Sequence, residues 1–193
     1  MARQKEFERD EVLHKAMEAF WARGYEGTSI QDLVKHMGIN RQSIYDTFGD
    51  KHSLFLDALD RYRQIQSQKL FEVLERPGSM KSNLRRLFEE AVARALTVEG
   101  RRGCFVGNSM SELAGHCKET ATRTCNSVAA AEKTFQRALE RGKRQGELAG
   151  VRDSRAVARF LYSSLQGLIL MAKATRDRKL LNDVVKVTLS VLD

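Results

Sequence analysis

Thr28 to Lys51, T-S-I-Q-D-L-V-K-H-M-G-I-N-R-Q-S-I-Y-D-T-F-G-D-K, holds two short helix patterns on either side of a glycine turn. Thr28 stands where it can cap the first. Gln31, three residues on, completes a capping box that satisfies two backbone N–H groups otherwise left without partners. Ile30, Leu33, Val34 and Met37 recur at helical spacing and give that helix one apolar face. Gly38 sits where a left-handed residue ends a helix without a Cβ clash. Asn40 is placed to cap the second helix, whose Ile44 and Phe48 share a side. Gly49 stops it, and Asp50 is available to cap the next helix.

Two such helices joined by a turn of about three residues match a helix-turn-helix motif, spanning about 29–48. The second helix, at roughly nine residues, is about 13 Å long. That length suits a major groove about 12 Å wide. Ile44 and Phe48 belong to the core, which leaves the polar Arg41, Gln42, Ser43, Asp46 and Thr47 for the outer side. A plain helical hairpin would show the same caps and turn, so other residues must decide between the two.

Those residues make the stretch from about Phe7 to Leu59 resemble the DNA-binding domain of TetR/AcrR-type bacterial transcriptional regulators. They are Phe20 and Gly24-Tyr25 near the end of helix one, Thr28-Ser29-Ile30 opening helix two and Met37-Gly38-Ile39 in the turn. Ile44-Tyr45 and Phe48 in the recognition helix and Lys51 opening helix four complete the set. The resemblance implies an all-α chain, with a helix-turn-helix domain over 6–66 and a helical ligand-binding and dimerisation domain over 67–193. It also implies a dimeric regulator, a repressor released from its operator by a small-molecule ligand or by thiol modification, in which helix four carries the ligand signal. Tyr45 and Lys51 match family positions that contact phosphates. Asp46 and Thr47 stand where relatives often carry His and an aromatic residue, and Gln42 where Gly is frequent. Those departures bear on operator sequence rather than on fold.

Base-reading chemistry adds roles. Gln42 is suited to bidentate contact with adenine and Arg41 to guanine or phosphate. Thr28 is expected to meet a phosphate from the start of its helix. Ser43 and Thr47 complete the expected DNA-binding set. Asp46 would be repelled by phosphates unless it accepts from cytosine N4 or pairs with Arg41.

Composition points the same way. The 193 residues are 42% hydrophobic with a single Pro, and no window shows the two-residue alternation of strands. The N-terminus lacks an apolar core segment of the signal-peptide kind. The longest apolar stretch, near Leu161 to Ala172, is broken by Ser163, Ser164 and Gln166 and falls short of the roughly 20 residues that span a bilayer. A cytoplasmic protein without a membrane partner is expected. Three cysteines in such a chain argue against a disulfide framework. The net charge of +8 is unevenly spread: Met1 to Lys51 holds 8 Lys+Arg against 9 Asp+Glu, so the excess lies beyond the presumed DNA reader. DNA binding must therefore rest on local placement of Arg41, Lys51, Lys35 and an N-terminal arm bearing Arg3 and Lys5. The basic remainder reads as a solvated surface, or else as a preference for an anionic ligand.

Further along, helix one is expected from about Phe7 or Asp10 to Arg23, with Trp21 a packing residue, and helix four from Lys51 through Leu70 and Leu74 across a boundary or kink in the sixties. Pro77-Gly78, with Ser79 as cap, punctuates the chain before a helix from about Met80 to Leu96. The segment Gly103 to Ala114 mixes apolar and small polar residues, as a pocket wall does. It resembles a TetR-family branch carrying Gly-Cys there, some of whose members sense electrophiles or oxidants through a cysteine. Cys104 lies beside Arg101 and Arg102 near a helix start, a setting that favours a thiolate; the plain alternative is a small buried hydrophobe. The effector pocket is expected on Phe88, Val92, Cys104, Phe105, Ser109, Phe135 and Tyr162. Cys104, His116, Cys117 and Cys125 match no standard zinc spacing, so no metal or other cofactor is expected.

A long helix should run from about Lys118 to Gln145, then two more, Ser154 to about Thr175 and about Lys179 to Leu192. These last two carry apolar residues over broader faces than one thin domain buries, which points to a homodimer through a four-helix bundle. A thiol-based enzyme is the rival from another class, but an enzyme is not expected, because the four His residues offer no recognisable arrangement beside Cys104. A helical interaction module with a vestigial reader, and an activator on the same fold, are the remaining alternatives.

Overall fold

Residues 7–193 are described by a computed structural model, and among them the chain is helical throughout, with no strand. Nine α-helices succeed one another: α1 Arg9–Arg23, α2 Ile30–Met37, α3 Arg41–Phe48, α4 Lys51–Leu74, α5 Met80–Ala95, α6 Phe105–Leu113, α7 Lys118–Arg144, α8 Ser154–Ala174 and α9 Arg178–Leu189. Short 3-10 turns cover Glu99–Arg102 and Ser190–Leu192. The N-terminal arm with Arg3 and Lys5 lies outside the described residues.

Most of the expected punctuation is in place. Gly38 ends α2 in the left-handed region (φ 74°, ψ 22°). Asn40 Oδ1 accepts from Ser43 N at 2.8 Å to start α3. Asp50 Oδ1 accepts from Ser53 N at 2.7 Å to start α4. Ser79 caps α5 and Asp153 caps α8 through their side-chain oxygens. Helix α9 begins one residue earlier than expected, because Asp177 accepts from Lys179 N and Leu180 N, and its last turn is 3-10.

The capping box at α2 is a correction. Thr28 is fully buried and its hydroxyl donates to Gly24 O at 2.6 Å, which closes the preceding turn. Ser29 takes the cap instead: Ser29 Oγ accepts from Asp32 N at 3.1 Å, and the Asp32 carboxylate accepts from Ser29 N at 3.0 Å. Both Thr28 and Ser29 are capping types, and the choice was made by burial, which places the methyl-bearing residue inside. Thr28 therefore does not present a hydroxyl to a phosphate, and Gln31 has no part in the box.

The helices divide into two compact units. The first comprises the described residues to Ile65 together with Phe105–Thr124; the second comprises Gln66–Cys104 with Cys125–Asp193. The division after Ile65 falls within α4. The membership of Phe105–Thr124 does not match a division at 66/67. The reason is tertiary. Phe105 stands edge-on to Phe55 and to Tyr62, each at 5.7 Å between centroids. Glu112 accepts from Tyr25 N and Glu26 N, and Arg123 pairs with Asp60.

Inside the first unit, Val12, Leu13, Ala16 and Phe20 of α1 are buried, as are Leu33 and Met37 of α2, Ile44 and Phe48 of α3 and Leu54, Phe55, Ala58 and Leu59 of α4. Trp21 packs edge-on to Tyr62, as expected of a packing residue. The second unit has its own core, in which Leu84, Phe88 and Val92 of α5 join Phe135 and Leu139 of α7, Leu161 and Leu168 of α8 and Leu181 and Val185 of α9.

The observed cap gives a direct expectation: Ser29→Ala lowers stability by about 1 kcal/mol, and Gln31→Ala leaves it within about 0.5 kcal/mol of the native chain, measured by urea unfolding. The Asp32 carboxyl titrates below its usual value of 3.8, first because the Ser29 hydroxyl and backbone donate to it and then because Arg23 lies alongside. Its folded pKa is the lower one, so its contribution is complete above the unfolded value and is lost as pH falls through the folded one. Native chain and Asp32→Asn should therefore differ in urea midpoint at neutral pH, with the difference shrinking as the pH falls below about 4.

Candidate nucleic-acid interface

Helix α3 buries Ile44 and Phe48 and leaves Arg41, Gln42 and Asp46 exposed, with Ser43, Tyr45 and Thr47 half-buried. Its outward residues are bonded to each other one turn apart. The Arg41 guanidinium lies over the Tyr45 ring, 5.5 Å from its centroid, and donates to the Tyr45 hydroxyl at 3.2 Å. Gln42 Nε2 donates to Asp46 Oδ1 at 2.8 Å. Asp46 thus pairs with Gln42 and not with Arg41. An amide has two N–H donors and a carbonyl, so Gln42 keeps one donor and its oxygen free. Those are the two groups that bidentate adenine recognition needs.

Two cations near α3 lie over aromatic rings, one of them the expected phosphate contact Lys51. Lys51 Nζ sits 4.2 Å above the Tyr25 ring. Arg9 lies over the Phe48 ring at 5.1 Å and pairs with Asp57 at 2.7 Å. Burial, above all, pushes the Tyr25 phenol pKa up, with the nearby Glu26 and Asp50 charges adding to it. The Thr47 hydroxyl is buried without a hydrogen-bond partner, so of the six remaining DNA-binding candidates it is the one turned inward.

The seven effector-pocket candidates do not form one set within either unit. Phe88, Val92 and Phe135 belong to the core of the second unit, with Tyr162 packed against it at 6.3 Å from the Phe135 ring. Burial chiefly, and then nearby Cys104, raise the Tyr162 phenol well above its ordinary pKa. Phe105 and Ser109 belong to the first unit, where the buried Ser109 hydroxyl lacks a hydrogen-bond partner. Part of the basic excess of the C-terminal part lines an open groove of about 760 Å³ between α5 and α9, where Lys81, Arg85, Arg178 and Lys186 outnumber Glu89 and Asp193.

Sequence reasoning missed one cluster. Cys104 and Cys125 belong to the second unit and His116 and Cys117 to the first, where His52 on α4 meets Cys117 and Glu119 at the start of α7. His52 and Cys117 are 65 residues apart, and no local spacing signals their contact.

Comparison with known proteins agrees with this architecture. Residues 12–58 match the family described as bacterial regulatory proteins, tetR family, and residues 80–188 match the tetracyclin repressor-like C-terminal domain. The HTH-type transcriptional regulator YezE of Bacillus subtilis, itself uncharacterized, is 44% identical over 194 residues and covers all of both chains. The HTH-type transcriptional repressor ComR of Escherichia coli is 31% identical over 189 residues, 97% of this chain and 90% of ComR. Among solved structures, a cysteine mutant of the TetR family regulator CifR, complexed with 26 bp operator DNA, superposes with a TM-score of 0.84 at 33% identity over 98% of each chain. Reduced NemR of Escherichia coli shares the fold, with a TM-score of 0.86 at 19% identity over 93% of this chain and 94% of NemR. With matches to both halves and a relative of 44% identity along its full length, the chain belongs to the TetR family of bacterial transcriptional regulators.

Proposed function

We propose that this regulator binds operator DNA in the cytoplasm as a homodimer and acts as a repressor without catalytic activity. The observation that carries the proposal is the outer face of α3, where Arg41, Gln42 and Tyr45 project from a helix held by its buried Ile44 and Phe48. Gln42 reads adenine, and its bond to Asp46 orients the amide while offsetting part of the Asp46 charge. Arg41, Ser43, Tyr45, Thr47 and Lys51 supply phosphate and further base contacts, Thr47 after its hydroxyl turns outward. The operator-bound CifR structure and the repressor ComR support this reading by similarity.

Dimerisation is inferred from the surface that α8 and α9 leave uncovered. Their inward stripes are buried, yet Phe160, Leu170, Met171, Val184 and Val187 stay exposed, Leu170 at 64% and Val187 at 69%. Phe160, Gly167, Leu170 and Met171 fall at i, i+7, i+10 and i+11 on one side of α8, and a Cβ at Gly167 would meet nothing within 4 Å. An apolar second face of this kind is what a four-helix interface between two copies covers. No helix among the described residues is long and apolar enough to cross a membrane.

Release is assigned to a small molecule or electrophile that favours a conformer whose two recognition helices no longer meet successive grooves. Such an effector must bind that conformer about 10⁴-fold more tightly to shift a 1:99 population to 99:1. Phe88, Val92, Phe135 and Tyr162, grouped in the second unit, are the candidate contacts. The half-buried Cys104 beside Tyr162 is the candidate reactive thiol.

Fluorescence anisotropy on DNA flanking the gene tests the reader. Gln42→Ala should weaken specific binding by about 1–3 kcal/mol and leave non-specific binding unchanged. Lys51→Ala should weaken both alike and reduce the salt slope by about 1. Native-like affinity in both variants would favour the interaction-module reading. Sedimentation tests the interface: Val187→Glu, at an exposed position, should give a folded monomer with little operator affinity, and an intact dimer would contradict the assignment.

A further inference from the structure

The first unit carries a side-chain cluster that DNA reading does not use. His52 Nε2 lies 3.5 Å from Cys117 Sγ, and Glu119 Oε2 lies 3.6 Å from the same sulfur. The three ligand atoms fall within 4.8 Å of one another, the one such grouping among the described residues. We propose that His52, Cys117 and Glu119 bind a single zinc-class divalent cation, with water in the fourth position.

The spacing is that of a tetrahedral site. Zinc bonds of about 2.3 Å to sulfur and about 2.0–2.2 Å to nitrogen or carboxylate oxygen, opened to the tetrahedral angle, put sulfur about 3.6 Å from each of the other ligand atoms. Both observed separations match. The donor set selects the ion: a thiolate and an imidazole favour zinc and its neighbours, whereas calcium and magnesium call for oxygen ligands throughout. Thiolate and carboxylate together neutralise a 2+ charge.

Hydrogen bonding can also satisfy the cluster when no cation is bound. With the proton on Nε2 the imidazole donates to the sulfur and the thiol donates to the carboxylate, so the case for a cation rests on the donor set and the spacing. The same sulfur already accepts from Thr120 Oγ1 at 3.2 Å and Thr120 N at 3.5 Å. Those donors fix where the sulfur points, as outer-shell groups do around metal ligands. The imidazole is fixed too, edge-on to Tyr25 at 5.8 Å and stacked on Phe55 at 6.4 Å. Cys117 immediately precedes α7, Glu119 lies in its first turn, and His52 lies in the first turn of α4 beside Lys51. A bound cation would tie the start of α7 to the start of α4 within this unit, next to a proposed phosphate contact.

The full chain, reduced and stripped with chelator, would be titrated with cobalt(II) under nitrogen. One cobalt per chain is expected, with a near-ultraviolet thiolate-to-metal charge-transfer band, visible bands of four-coordinate intensity, and displacement by zinc. Cys117→Ser should remove the charge-transfer band, whereas Cys104→Ser and Cys125→Ser should keep it. Thr120→Val should weaken binding about 10–100-fold with the circular dichroism unchanged. Glu119→Gln, at an exposed position, should weaken binding without disturbing the fold, which keeps the test valid if Cys117→Ser unfolds. No thiolate band in the native chain, a band that survives Cys117→Ser, or an affinity indifferent to both Glu119→Gln and His52→Ala would overturn the site.

Discussion

The first unit depends on one carboxylate. Glu112 of α6 accepts from Tyr25 N at 3.1 Å and Glu26 N at 2.9 Å, and so holds the turn that leads from α1 into α2. Hydrogen bonds to a charged group contribute about 1.5–3 kcal/mol each, a large share of a marginal fold's stability. The clamp also dictates Gly24. Its φ of +78° is strained for any side chain, and a Cβ there would lie 2.7 Å from the Glu112 carboxylate. From that fixed turn, Thr28 closes back on Gly24 and Ser29 starts α2, which sets the direction of the helix-turn-helix.

Around the clamp runs a ladder of rings that keeps α1, α4 and α6 in register. Phe20 meets Phe55 edge-on at 5.3 Å, Tyr25 meets Phe55 at 5.1 Å, and Phe105 inserts its edge against Phe55 and Tyr62. Offset and edge-to-face pairs contribute about 0.5–1.5 kcal/mol each beyond the area they bury. They also explain why a short helix far along the chain belongs to the N-terminal unit. The helix-turn-helix is thus braced by aromatic residues of α1, α4 and α6 that lie outside the motif.

What was legible in the sequence was local. Gly38, Asn40, Gly49 and Asp50 mark the ends of α2, α3 and α4 through backbone conformation and nearby N–H groups, so their roles need no distant partner. The outer residues of α3 are set by Ile44 and Phe48 through helical geometry alone. The capping box lies one residue from the expected Thr28 because Thr28 and Ser29 are both capping types until tertiary burial separates them. Glu112 and His52 were invisible for another reason: their partners lie 87 and 65 residues away, and nothing in their neighbourhoods encodes the contact. Apolar pattern marks Phe88, Val92, Phe105 and Phe135 alike as inward and does not encode which unit's core each joins.

Charge had the same limitation. The first 51 residues carry a net −1, yet the face of α3 is organised by single pairings, Arg41 with Tyr45 and Gln42 with Asp46, which a sum over residues hides. The direct test of the central claim, that a two-fold dimer places two α3 helices in DNA, is hydroxyl-radical footprinting on the DNA flanking the gene. Two protected half-sites related by a palindrome, with centres one helical turn or a multiple of about 10–10.5 bp apart, are the predicted result. A single protected patch without symmetry, or uniform weak protection along the fragment, would contradict it.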